Sequence, residues 1–363
     1  VEAAEILLPL LAACAAAALA TPWVARLARG LGVVDRPSSR GVSERRDIPL
    51  LGGLAVAAGF AAGLAASAAT VTGFMATRRL SGVLLGALLV LGLGVWDDRR
   101  SLGATAKFSV QALAALVAVG AGLRIGHVTE PTTRLSLELP FWLGWVVSVL
   151  WIVGVTNAIN LIDGLDGLAT GVAAIICATL TAIAWQGGHV VGVCLGVGLL
   201  GGLLGFLPWN FPPARIFLGD TGSLFVGFTL SVLALEGYRQ LSLLPFVVPV
   251  LALAVPILDT SLSIVRRLRL GTPLFSADRH HMHHRVLETR GSTRGAVLQF
   301  YFLTACFGLI ALSFTQLRGA VAVACLAAVA LLTLRMLWNL GVLSPGRDAA
   351  AGGAGGRAKE EER

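Results

Sequence analysis

Residues 142–169 read WLGWVVSVLWIVGVTNAINLIDGLDGLA. The run from Trp142 to Val155 is apolar almost throughout, and it leads directly into two amides, Asn157 and Asn160, and two carboxylates, Asp163 and Asp166, at intervals of three. Ionisable groups at the edge of a membrane span are costly to keep, so they point to a site before they point to packing. Three residues is a near-helical repeat. A helix continuing through Asp166 would therefore line all four groups along one side.

The rest of the chain has the same solvent preference. Of its 363 residues, 56% are hydrophobic and only 13% are charged, where a soluble domain carries about a quarter charged residues. Alanine, leucine, valine and glycine fill long blocks with no polar face. The expected fold class is an all-α polytopic membrane protein. Eleven apolar stretches are long enough to cross, at 5–26, 50–70, 80–96, 105–123, 140–157, 167–186, 188–206, 219–236, 243–265, 296–315 and 319–340. The first run, Ile6 to Val24, is long enough to remain as a span and does not resemble a cleavable signal. Residues 1–343 read as one transmembrane domain with a His/Arg-rich loop at 266–295; the Gly/Ala-rich charged tail, 344–363, reads as disordered. Residues 125–139, IGHVTEPTTRLSLEL, alternate about a Pro-Thr-Thr turn and predict a short external β-hairpin. The five cysteines are scattered through apolar runs without paired spacing, as small apolar residues are.

Charge fixes the sidedness. With the N-terminus outside and the C-terminus in the cytoplasm, 22 of the 28 Lys and Arg fall on inward segments. The net charge of +8 thus reports topology and gives no reason to expect a nucleic-acid partner. In this orientation every polar cluster lies on the cytoplasmic side. A transporter or flippase of lipid-linked sugars would instead carry polar groups along a path through the bilayer, near its midplane.

Each cluster has a chemical and a plainer reading. Asp97-Asp98 end one span, where adjacent carboxylates repel and would accept a divalent cation; they could also be a solvated helix end countered by Arg99 and Arg100. Lys107 could reach the same surface or merely snorkel. The amides and carboxylates of Asn157 to Asp166 suit Mg²⁺ shared with a substrate phosphate, and Gly164 and Gly167 would admit a phosphate close to the backbone. In IFLGDTGS (216–223), Asp220 is either a helix N-cap or a metal ligand. ADRHHMHHR (277–285) holds four of the six histidines beside Arg279 and Arg285, which suits a pyrophosphate or a transition metal. Pro49, Gly52 and Gly53 open the second span and could line a groove. Gln111 has no evident role.

Six blocks in order, DRPSSRGVSERRDIPLLGG, the Asp97-Asp98 pair, NAINLIDGLDGLATG, FLGDTGSLFVG, PILDTSLSIVRRL and ADRHHMHHRVLETRG, resemble the polyprenyl-phosphate N-acetylhexosamine-1-phosphate transferases, the WecA and MraY group. The similarity runs from Asp35 to Gly291. His281, His283 and His284 follow the WecA-like spacing, whereas the MraY branch carries three consecutive histidines.

This resemblance implies transfer of N-acetylhexosamine-1-phosphate from a UDP-N-acetylhexosamine, with UDP-N-acetylglucosamine expected, to a polyprenyl phosphate such as undecaprenyl phosphate, releasing UMP. An MraY-like phospho-MurNAc-pentapeptide transferase is the nearest alternative. It implies Mg²⁺, with Mn²⁺ as a substitute, held by Asp220, Asn160 and Asp98. It implies Asp97 as base or orienting group for the lipid phosphate with Asp98 as its partner, and Lys107 in phosphate contact. Nucleotide and sugar positioning would fall to Asn157, Asp163 and Asp166, and substrate contact to Arg279, His281, His283 and His284. Location in the cytoplasmic (inner) membrane, as the first lipid-linked step of a cell-surface glycopolymer, and a homodimer by analogy, complete the expectation.

Overall fold

The computed structural model describes residues 2–35, 47–74, 77–129, 136–237, 247–270 and 292–315, with helical residues scattered between 321 and 335. Arg279, His281, His283, His284 and the tail 344–363 lie outside the described residues. Two compact units are present, Val1–Gln316 and Leu317–Arg363. In the second, the described residues are helical and Leu331 and Leu332 are exposed.

The first unit is a helical bundle: α1 (Ala3–Gly30), α2 (Gly52–Thr70), α3 (Arg78–Arg99), α4 (Ala104–Gly120), α5 (Phe141–Ile162), α6 (Leu168–Gln186), α7 (Val190–Asn210), α8 (Gly219–Gly237), α9 (Val247–Ala252), α10 (Ala254–Leu270) and α11 (Thr293–Phe314). Seven of these, α1, α2, α3, α5, α6, α7 and α11, are long and apolar enough to cross a membrane. Helix α8 has 19 residues, but it opens on Gly-Asp-Thr-Gly-Ser, which lowers its hydropathy. The stretch expected as one span at 243–265 is broken into α9 and α10 at Leu253. Pro256 explains the break: it has no N–H for the preceding turn, and its ring clashes there.

Helix α8 is the most enclosed, buried throughout 221–236, with α6 and α7 next, while α1 turns Leu7, Leu8, Leu11 and Leu19 outward as a lipid-facing rim. Helices α1, α2 and α7 approach through small residues. A Cβ on Gly59 would stand 2.8 Å from Gly202 Cα, and one on Gly205 2.1 Å from the Cys14 carbonyl oxygen. Small side chains let backbones close where lipid gives no hydrophobic drive to association.

Polar contacts tie the helices at both ends. At one end Glu5 accepts from Thr72 Oγ1 at 2.7 Å, and Arg78 donates to the Gly120 carbonyl at 2.9 Å. The expected hairpin stands at this end, as β3 (His127–Thr129) paired antiparallel with β4 (Ser136–Glu138). A second pairing was not anticipated: β1 (Val34–Asp35) with β2 (Ile48–Pro49), Val34 opposite Pro49. It lies at the other end, where Phe217 N donates to the Pro49 carbonyl at 2.9 Å, and Gly52 and Gly53 donate to Phe217 and Leu218. Gly52 and Gly53 are buried by this docking, and a Cβ on Gly53 would meet Gly222 N at 2.2 Å. They are a backbone-to-backbone contact, which corrects the expectation of a groove lining.

Candidate active site

The helix that carries Asn157 does not continue through Asp166: it stops at Ile162, between the expected spans 140–157 and 167–186. Asp163 caps it, a turn covers 164–167, and α6 starts from Gly167, whose φ of +72° is left-handed. The glycines set this corner. Gly167 packs on the chain itself: a Cβ there would lie 3.1 Å from Phe211 Cα. It is therefore not the phosphate approach the sequence suggested. The polar residues are consequently split between a helix end and a turn, and each finds its own partner.

At the end of α3, Asp98 accepts from the backbone of α8. Its Oδ1 takes the Asp220 N–H at 2.8 Å; its Oδ2 takes the Thr221 N–H at 3.0 Å and the Thr221 hydroxyl at 2.6 Å. A carboxylate at a helix N-terminus satisfies its orphan donors and faces the positive end of its dipole. The capping role considered for Asp220 is thus performed by Asp98, from another helix. Close approach needs glycine twice. A Cβ on Gly219 (φ +73°) would be 2.5 Å from Asp98 Oδ2, and one on Gly94 2.4 Å from Thr221 Cα.

Asp220 is thereby turned toward α4 and α5. Its Oδ2 accepts from Lys107 Nζ at 2.9 Å and its Oδ1 from Asn160 Nδ2 at 2.6 Å. The same Nδ2 donates to Ser223 Oγ at 2.8 Å. Lys107 also pairs with Asp97, which is 7% exposed and accepts the Leu102 N–H at 2.7 Å. Lys107 thus bridges Asp97 and Asp220. Arg99 and Arg100 are exposed and do not supply the counter-charge.

The remaining expected residues support this core. Asn157 exchanges hydrogen bonds with the buried Gln111 amide and donates to the Val153 carbonyl at 2.8 Å. Asp166 Oδ2 accepts the Ala214 N–H at 2.9 Å, tying the α5–α6 turn to the segment before α8. Asp163 faces other acids. Burial of its carboxyl, then the carboxylates of Asp220, Asp98 and Asp166, push it well above the ordinary carboxylate range.

Two residues of α11 clamp the turns, and sequence reasoning did not single them out. Tyr301 donates its hydroxyl to the Gly167 carbonyl at 2.6 Å, and Arg294 Nε donates to the Pro212 carbonyl at 2.9 Å. Asn210 is a third such residue, holding Ile216 O at 3.0 Å and the Thr170 hydroxyl at 2.6 Å. Gln111 and Asn210 carried a usable signal, an amide within an apolar run. Tyr301 carried none, since tyrosine is ordinary at a membrane boundary.

Among the described residues no three His, Cys, Asp or Glu side chains form a ready cation cage. The donor set still fits Mg²⁺, which takes one or two carboxylates and leaves other positions to water and substrate phosphate. Asp220 and the amide oxygen of Asn160 would be its ligands in such a fit. Asp98 accepts from α8 on both oxygens, as Asp220 does from Lys107 and Asn160, so a cation at either carboxylate would share an oxygen with a donor or displace it.

Comparison with known proteins matches the same region. The model of glycosyl transferase family 4 matches residues 80–238, from α3 to the end of α8. A probable undecaprenyl-phosphate N-acetylglucosaminyl 1-phosphate transferase of Bacillus subtilis is 41% identical over 293 residues, 80% of each chain. A decaprenyl-phosphate N-acetylglucosaminephosphotransferase of Mycolicibacterium smegmatis is 35% identical over 78% of this chain and 75% of its own. A phospho-N-acetylmuramoyl-pentapeptide-transferase of Shouchella clausii is 28% identical over 84% of this chain and 94% of its own. With such relatives aligned along most of its length, the chain belongs to the polyprenyl-phosphate N-acetylhexosamine-1-phosphate transferases, within glycosyl transferase family 4.

Proposed function

We propose that this multi-pass membrane protein transfers N-acetylglucosamine-1-phosphate from UDP-N-acetylglucosamine to a polyprenyl phosphate and releases UMP. The convergence of Asp97, Lys107, Asn160 and Asp220, from four helices at one end of the bundle, carries this proposal. An oxygen of the lipid phosphate attacks the β-phosphorus of the nucleotide sugar. The new P–O bond forms as the bond from that phosphorus to the α-phosphate oxygen breaks, and UMP leaves with the electron pair. The acceptor is already largely ionised at neutral pH, so Asp97 acts by orienting it and taking any remaining proton. Lys107 holds Asp97 and Asp220 together and lies where two phosphate groups would repel each other. Mg²⁺ bound at Asp220 and Asn160 would neutralise pyrophosphate charge as it shifts to the leaving group.

The same proposal sets the site at the cytoplasmic face of the inner membrane, with eleven spans and the N-terminus outside. The Lys and Arg bias supports that orientation, because the site end is the basic end. The N-acetylglucosamine-handling relatives are 41% and 35% identical over 80% and 78% of this chain, whereas muramoyl-pentapeptide enzymes reach 36% only over 61% or less and 28% over 84%, which favours the smaller donor.

Purified protein with Mg²⁺, undecaprenyl phosphate and UDP-N-acetylglucosamine should release UMP, and a chelator should stop it. UDP-MurNAc-pentapeptide and other UDP-amino sugars form the control panel. Release with the pentapeptide donor alone would reassign the sugar; no UMP with any donor would remove the proposal.

A further inference from the structure

A cavity of about 980 Å³ opens beside α1, bounded by the last turns of that helix, by Asp47 and Ile48, and by the segment 209–216. Neither Asp97, Lys107, Asn160 nor Asp220 lines it. Its wall carries Arg26 and Arg29, one turn apart on α1, with Arg215 and a single carboxylate, Asp47. Three arginines against one aspartate give the lining a charge of +2. Arg26 lies over the Trp23 ring at 5.0 Å and Arg215 over Trp209 at 5.8 Å. Stacking engages the face of a guanidinium and leaves its N–H edge directed outward, the geometry that grips phosphate oxygens. Among the described residues, neither ion pair of Lys107 includes Arg26, Arg29 or Arg215.

Depth identifies the occupant. Trp23 is 69% exposed on the lipid-facing rim of α1, and an amphipathic ring there marks the membrane–water boundary. One turn further on, Arg26 and Arg29 stand at head-group level. We infer that this cavity is a second phosphate site, separate from the transfer site, that holds the head group of an anionic glycerophospholipid such as phosphatidylglycerol. The arginine N–H groups take the phosphodiester oxygens, and Asp47 accepts from the head-group hydroxyls. Such a lipid would brace the segment that meets Asp166 through Ala214 and Asn210 through Ile216.

Native mass spectrometry of the full chain, offered equal phosphatidylglycerol and phosphatidylcholine, tests this without relying on catalysis. Wild type should retain phosphatidylglycerol preferentially. Arg26→Gln with Arg29→Gln should weaken that retention roughly thirtyfold, at about a factor of five to six for each arginine, and leave phosphatidylcholine unchanged. Arg29→Gln alone gives an intermediate loss and serves if the pair lowers the yield of folded protein. Equal retention of both lipids by wild type, or an unchanged preference in the variants, overturns the site. Displacement of the lipid by soluble glycerol phosphate at matched concentration would assign it to a free phosphate instead. A rise in KM for polyprenyl phosphate that parallels the lost retention would make it a substrate dock. Failure of UMP release leaves the lipid measurement standing, so the two inferences fail separately.

Discussion

Asp163 and Asp220 belong to one acidic cluster but carry opposite energetics. Asp220 is held by Lys107 and Asn160, whereas Asp163 has burial and neighbouring carboxylates against its ionised form. Asp220→Asn should leave the protein inserted and folded, because Lys107 keeps Asp97, yet lower turnover by about a hundredfold or more, as loss of a preorganised charge does. Wild-type UMP release in that variant would clear Asp220 of any role. Asp163→Asn should do something different. The folded state binds the Asp163 proton more tightly than the unfolded chain does. Ionising it therefore costs stability from the ordinary carboxylate range upward, until pH passes its raised value. The asparagine variant should melt higher than wild type across that window and equally at lower pH, in metal-free buffer. It should also gain less from added Mg²⁺, since less repulsion is left to relieve. Equal melting curves at neutral pH would contradict the acidic crowding. The sequence exposed these side chains because charge beside an apolar run is rare. It concealed their pairings, since Lys107 and Asp220 are 113 residues apart and Asp98 and Asp220 are 122 apart.

At the level of elements, the site depends on helix ends that are finished by other helices. Asp98 of α3 completes the N-terminus of α8, and α11 reaches the turn that carries Asp166 and the segment that follows Asn210. Most helix positions were legible from apolar runs, whereas the break between α9 and α10 was not. The spans at 140–157 and 167–186 left room for the corner after Ile162, although Asn157, Asn160, Asp163 and Asp166 keep a helical period straight through it. Gly164 and Gly167 were read for a ligand when they end one helix and begin another. The α11 clamp yields a prediction of its own. Tyr301→Phe and Arg294→Gln should each lower kcat by about tenfold with smaller changes in KM, since each loosens a turn and leaves the Lys107 pairs intact. The turns touch, Gly167 lying against Phe211, so the two effects should couple by at least about 0.5 kcal/mol in a double-mutant cycle. Strict additivity would mean that α11 holds two independent turns.

For the whole molecule, alternation of the helices makes sidedness a single choice. The ends of α3, α5 and α7 and the starts of α4, α6 and α8 meet at the site, while the β3–β4 hairpin stands between α4 and α5 at the opposite end. A UDP-sugar is made in the cytoplasm, so the proposed transfer requires the site end to face inward and the hairpin outward. Composition showed that the chain spans the membrane, and the charge bias chose the direction. Accessibility in intact cells checks that direction. A cysteine at Ser136, in β4, should react with a membrane-impermeant maleimide added outside. One at Ala104, at the start of α4, should react only after the membrane is opened. The reversed pattern would set Lys107, Asp97 and Asp220 against the outside medium, away from any nucleotide sugar, and the proposed transfer would fail with it. Labelling of both positions from outside would be the mark of a water-filled passage, which a transporter needs and a one-sided transferase does not.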